Sequence, residues 1–253
     1  MAASDYPAQV GTTTAPTRLR AGPRLLDGDR LFHALVGLLA ASIVAFAVLL
    51  AVYLVKDALP AFERFGAAFL WQQVWNPVTL QFGALPAIYG TAVTSLLAML
   101  LAVPVGVGAA IYLAEFAPRW VERPLSFLIE LLAAIPSVVI GLWGLFVLVP
   151  AICPVQQWLG QHLGWLPLFS GPPLGIGVFA AGLVLAIMVL PILTAIVREV
   201  LWAVPTHQRE AAYALGATPW EMVTGAVLPY GRSGIVGAII LALGRALGET
   251  LAV

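Results

Sequence analysis

Residues 198–234 read "REVLWAVPTHQREAAYALGATPWEMVTGAVLPYGRSG", a comparatively polar stretch set between two long apolar runs. From Gln208 to Leu215 it predicts a short helix with Ala211, Ala212 and Leu215 on one side. Gly216 then ends that helix as a C-terminal glycine. Thr218 and Pro219 suit the N-cap and first position of a second short helix running to about Val227. Leu228 and Pro229 then lead towards the next apolar run. Two short helices bent at a glycine, flat against a membrane surface, make a compact knob able to enter a groove on a partner. An ordinary amphipathic connector has the same pattern.

The membrane surface in that reading comes from composition. Hydrophobic residues make up 61% of the 253 and charged residues 9%, and the mean hydropathy is +0.99. Soluble domains carry about a quarter charged residues, so this chain cannot cover a water-facing surface. It reads as an all-α integral membrane protein. A net charge of zero excludes a broad nucleic-acid footprint. The one cysteine, Cys153, has no disulfide partner in the chain, and His33, His162 and His207 fall in unrelated segments with no metal-ligand spacing.

A span needs about 20 mainly apolar residues. Five stretches meet that length: Leu31–Val55, Tyr89–Leu113, Leu125–Val149, Leu174–Val197 and Ser233–Val253. Residues 1–24 are expected to form a disordered cytoplasmic tail, and 25–253 the membrane domain, with 198–232 as its long cytoplasmic loop. Arg18, Arg20, Arg24, Arg30, Arg119, Arg123, Arg198, Arg209 and Arg232 fall on one side of this layout, against Lys56 and Arg64 on the other. Positive residues collect inside, so the N-terminus and the loops at 114–124 and 198–232 are expected in the cytoplasm. The chain stops at Val253 within an apolar run, and at least one further helix is expected beyond it.

The last expected span, "GIVGAIILALGRALGETLAV" (234–253), carries Arg245 and Glu249. A charge near the bilayer centre costs about 2.5–3.5 kcal/mol on insertion scales, and such residues commonly mark a path. Arg245 lies roughly 18 Å along the helix from Ser233, with Glu249 one turn further on, so the two are placed to pair. A structural ion pair between helices would also account for them. Glu130 reads either as a third charged group in the membrane or as a snorkelling carboxylate. Ser137, beside Pro136, reads either as path lining or as part of a helix break. Pro104, Pro136 and Pro191 within apolar runs allow a water-filled path and plain helix packing alike.

Glu210-Ala211-Ala212, three residues, Gly216, nine residues, then Ala226-x-Leu228-Pro229 resembles the EAA loop of bacterial ABC importer permeases, where Ile usually occupies the place of Ala226. The stretches "WNPVTLQFGALPAIYGTAVTS" (75–95), "PLSFLIELLAAIPSVVIGLWGLFVLVP" (124–150) and "LALGRALGETLAV" (241–253) resemble the PstC-type permeases of phosphate ABC importers. The resemblance implies a type I importer bundle with six helices, the sixth lying beyond this sequence. It also implies that Glu210, Ala211, Ala212, Gly216, Leu228 and Pro229 couple to a separate ATPase, and that Arg245 and Glu249 lie on the substrate path. The implied partners are a PstA-type second permease, a PstB-type ATPase dimer that binds the ATP and magnesium, and a PstS-type phosphate-binding protein. The implied location is the bacterial inner membrane. No G-x-x-x-x-G-K-[ST] run occurs, so no nucleotide site is expected in this chain, and with no nucleophile–base or metal cluster on the membrane segments a membrane enzyme ranks last. Sulfate and molybdate permeases resemble it at Arg245–Glu249, so that motif alone reads as oxyanion transport. A stand-alone channel or secondary transporter would need no docking knob.

Overall fold

The computed structural model describes residues 26–78, 80–165 and 175–249, with side chains from Gly28 onward. The expected tail at 1–24, Leu174 at the start of the fourth expected span, and residues 250–253 of the fifth lie outside the described residues. The described residues are almost wholly helical, and five helices are long and apolar enough to cross a membrane. Contacts divide the chain into two units, Met1–Ala67 and Ala68–Val253.

The first unit contains helix α1, Leu26–Phe65. Its apolar stretch ends near Val55 as expected, but the helix continues through Lys56, Asp57, Glu63 and Arg64. Those charges end the lipid-compatible run without ending the helix, since Lys, Glu and Arg are good helix formers, and the helix continues through Asp57 and Pro60 as well. Leu38, Ile43, Val44 and Phe46 are each more than 60% exposed, a surface suited to lipid rather than water.

In the second unit α2 spans Leu85–Phe116, opening with Pro86 at a position whose N–H needs no partner. It ends at Ala117, held extended at φ −71° and ψ 130° by the proline that follows. Helix α3 is Arg119–Ala134, and α4 is Ser137–Leu163. This pair corrects the third expected span. Leu125–Val149 is not one helix, because Ile135 and Pro136 are both extended and the ring of Pro136 removes a helical donor. The apolar helix of spanning length starts after that break and runs on to Leu163, past the expected end at Val149.

Helix α5, Val178–Trp202, is the centre of the bundle. Leu185, Val189, Leu193, Val197 and Leu201 recur every fourth residue and are each at most 1% exposed. The helices that flank α5 present small residues at the same interval. Ala98, Ala102, Gly106 and Ala110 are buried on α2. Ala238, Ala242 and Ala246 are buried on α7, Pro219–Leu247. In lipid there is no water to drive apolar side chains together, so association relies on close van der Waals contact, which small residues permit. A Cβ added at Gly182 of α5 would lie 2.6 Å from Leu97 Cδ2, and one added at Gly234 of α7 would lie 2.6 Å from Val200 Cγ1. The two interfaces of α5 are thus in direct contact, and α7 is locked beside the chain's most buried helix.

Candidate functional site

The polar loop after α5 begins with α6, Thr206–Ala214, which starts behind the extended Pro205. Its end is built by the backbone. The Gly216 N–H donates to Tyr213 O at 2.9 Å, and the Ala217 N–H donates to Ala212 O at 3.1 Å. This six-to-one closure needs a left-handed residue at Gly216, whose φ is +83°. Thr218 then caps α7. Its Oγ1 accepts from the Glu221 N–H at 3.3 Å, and the Glu221 carboxylate accepts from the Thr218 N–H at 2.8 Å.

One expectation is corrected here. The helix after Thr218 is not short, because it runs without a break to Leu247 and places Leu228 and Pro229 inside it. Between Val223 and Val227 the backbone widens to a π turn, so that the Leu228 N–H reaches back to Val223 O. That wider turn accommodates the ring of Pro229, which would otherwise crowd the preceding turn. Ala212 and Leu215 differ in exposure. Ala212 packs on the core, whereas Leu215, at the helix end, is 90% exposed. Glu210, Ala211, Gly216 and Pro229 also lie at the surface, while Leu228 is partly buried against the core. Together with Trp220, 60% exposed, the α6–α7 turn presents a knob of mixed apolar and acidic character.

What mounts this knob is Arg209, which sequence reasoning counted only as a loop charge. Its Nε donates to Glu115 Oε2 at 3.2 Å and its Nη2 to Glu115 Oε1 at 2.7 Å. Nη2 also donates to Leu201 O at 2.8 Å, and Nη1 donates to Val204 O. The side chains are 19% and 5% exposed respectively. Glu115 sits in the π turn that closes α2, Tyr112–Phe116. The available signal was a lone carboxylate closing an apolar run, since such a group needs a cation near it.

A second arginine explains Glu130. Arg198, 3% exposed, donates from Nη2 to Glu130 Oε1 and Glu199 Oε1, both at 3.0 Å. It also lies 4.7 Å from the centre of the Trp202 ring. The link joins α3 to α5. Ser137 opens α4 directly after the Pro136 break.

At the far end of α7, Arg245 and Glu249 line one cleft of about 700 Å³ with Ile192, Gly237, Ile240 and Gly244. The helix ends at Leu247, so Glu249 follows the helix end rather than sitting in a further turn. Its N–H donates to Ala246 O at 3.4 Å, and that of Gly248 to Gly244 O at 3.1 Å. Arg245 is exposed to the cleft and Glu249 is partly buried. A cation in the last turn of a helix is favoured by the exposed carbonyls there. Apart from these two groups the named lining is apolar or glycine, so among the described residues the guanidinium of Arg245 is the cation facing this open cleft. Among the described residues no three His, Cys, Asp or Glu side chains gather closely enough to hold a metal ion.

Residues 102–253 match the family described as binding-protein-dependent transport system inner membrane component. The chain belongs to that family. Its curated relatives include the phosphate transport system permease protein PstC of Xylella fastidiosa strain 9a5c, 54% identical over 76% of this chain and 61% of that protein. The PstC of Mesorhizobium japonicum is 47% identical over 89% of this chain and 70% of its own length. The PstC 2 of Mycobacterium tuberculosis is 43% identical over 98% and 76%. The chain therefore spans about three fifths of the length of the Xylella relative. It is a multi-pass membrane chain of the permease family.

Proposed function

We propose that this chain forms half of the translocation path of an ATP-driven phosphate importer and passes motion from a separate ATPase to that path. The observation that carries the reading is the continuity of α7. One helix begins at the capped turn of the surface knob and ends at the cleft of Arg245 and Glu249, about 40 Å away at 1.5 Å per residue. Displacing the knob therefore displaces the charged cleft. The relatives named as phosphate permeases support the substrate.

Within this reading the knob formed by Glu210, Ala211, Ala212, Gly216, Leu228 and Pro229 docks into an ATPase dimer, which binds ATP and magnesium. The N-terminus and the knob face the cytoplasm, a binding protein delivers phosphate from outside, and a second permease completes the path. Phosphate sheds its water against the planar donor fork of Arg245. Glu249 keeps that arginine tolerable when no anion is present. Transport is by alternating access, without covalent chemistry in this chain.

The test is uptake of labelled phosphate, with sulfate as competitor, in cells lacking their own importer and expressing the chain with its partners. Wild type and Arg245→Gln are compared at matched membrane levels. Phosphate-selective uptake lost on substitution supports the reading. Competition by sulfate moves the assignment to another oxyanion, and uptake indifferent to the substitution makes Arg245 structural.

A further inference from the structure

Arg209 and Glu115 are 94 residues apart in sequence yet form the tightest polar junction beneath the knob. Three elements meet at this one guanidinium. Arg209 itself belongs to α6, Glu115 ends α2, and Leu201 and Val204 supply the last carbonyls around the end of α5. The fork on Glu115 fixes direction as well as distance, because two parallel donors meet two carboxylate oxygens. Arg209 thus gives Leu201 O a second donor beside the Val204 N–H, which reaches it at 3.2 Å, and supplies a donor to Val204 O just past the end of α5. With Glu115 almost fully enclosed, separating the pair would strand a charge away from water.

The other connection from α6 is of a different kind. It passes through Gly216 in a left-handed turn, where an added Cβ would meet nothing within 4 Å, and then through the π turn at Val223–Val227 before reaching the spanning part of α7. One side of α6 is thus riveted to α2 and α5, and the other is joined to α7 through a glycine turn with open space around it.

We infer that Arg209 and Glu115 are positioning residues forming a rigid strut that carries displacement of α6 into α2 and α5, alongside the covalent link through the Gly216 turn into α7. This inference rests on the coupling reading above. A stroke delivered to α6 then reaches α2 and α5 through the strut and α7 through the turn, and so moves both walls of the cleft beside Ile192 and Arg245.

The test uses the complete importer in proteoliposomes, measuring ATP hydrolysed and inorganic phosphate imported on the same samples. Glu115→Gln removes the charged arm to α2 while leaving the two carbonyl bonds of Arg209. Arg209→Lys keeps the charge but loses the fork and the reach to α5. Both variants are expected to assemble with the ATPase and to hydrolyse ATP, with the ATP used per phosphate imported rising clearly above the wild-type value. Arg119→Gln, an exposed charge after α2, is expected to leave the ratio unchanged. A wild-type ratio in both strut variants overturns the inference. Loss of the ATPase from a permease still in the membrane overturns it in favour of a docking role, and degradation of both variants overturns it in favour of a folding role. Failure of the wild-type chain to bind any ATPase would instead sink the coupling reading itself.

Discussion

Gly234 and Gly237 lie three residues apart on α7, and alanine at the two positions should change stability in opposite directions. At Gly234 the added Cβ would lie 2.6 Å from Val200 Cγ1, 2.9 Å from Cγ2 and 3.3 Å from Cβ. Valine is stiff at χ1, and rotating one methyl away only brings the other in. Relief therefore needs α5 and α7 to separate by about 1 Å to reach ordinary contact. Overpacking of this kind costs about 1–3 kcal/mol. Replacing a helical glycine returns roughly 0.5–1 kcal/mol of backbone entropy, so Gly234→Ala should lose about 1 kcal/mol net. At Gly237 nothing lies within 4 Å of the added Cβ, and the same entropy term acts alone, a gain of about 0.5–1 kcal/mol. The assay is thermal unfolding of both variants in one detergent, where 1 kcal/mol corresponds to roughly 2–4 °C for a chain of this size. Adding Val200→Ala to Gly234→Ala should recover part of the loss, because it removes both offending methyls. Shifts of the same sign at Gly234 and Gly237, or no coupling with Val200, would refute close packing of α7 on α5.

The remaining predictions concern the polar groups. Arg209→Met should destabilise the chain by about 3–5 kcal/mol, because it leaves the Glu115 carboxylate enclosed and uncompensated; unfolding in detergent reads this directly. Arg198→Met should change stability by less than about 1 kcal/mol. Its Nε and Nη1 are buried with no hydrogen-bond partner among the described residues, and its two carboxylate partners are each about 60% exposed, so water can solvate them afterwards. Thr218→Ala should cost about 1 kcal/mol by removing the cap of α7, seen as faster amide exchange at Trp220 and Glu221 with no change at Val189. Gly216→Ala should cost about 1–2 kcal/mol, since φ there is +83° and an L side chain is strained in that region. The strain falls on the knob, so ATPase co-purification should weaken before the membrane level of the protein does.

Much of the site was open to reading from residue order alone, because it rests on local physics. Gly216 ends α6 through bonds to Tyr213 and Ala212 only a few residues away, and Thr218 caps its own helix. Charge in an apolar run is equally local, so Arg245 and Glu249 stood out without coordinates. The 61% hydrophobic composition required a bilayer, and an apolar run of sufficient length in lipid must satisfy its own backbone by forming a helix. Five spanning helices follow from that. Their boundaries do not, because hydropathy measures how residues partition and says little about where backbone bonds break. Pro136 divided the third expected span, and α7 swallowed an expected second helix by widening one turn ahead of Pro229. Only the tertiary structure decided which glycine of α7 faces Val200 and which faces the cleft. It alone brought Glu115 onto Arg209 and Glu130 onto Arg198, across sequence separations of 94 and 68. Pairing over such separations depends on how α2, α3 and α5 pack, and the packing is set by the small-residue stripes meeting the large side chains of α5 rather than by the charges themselves.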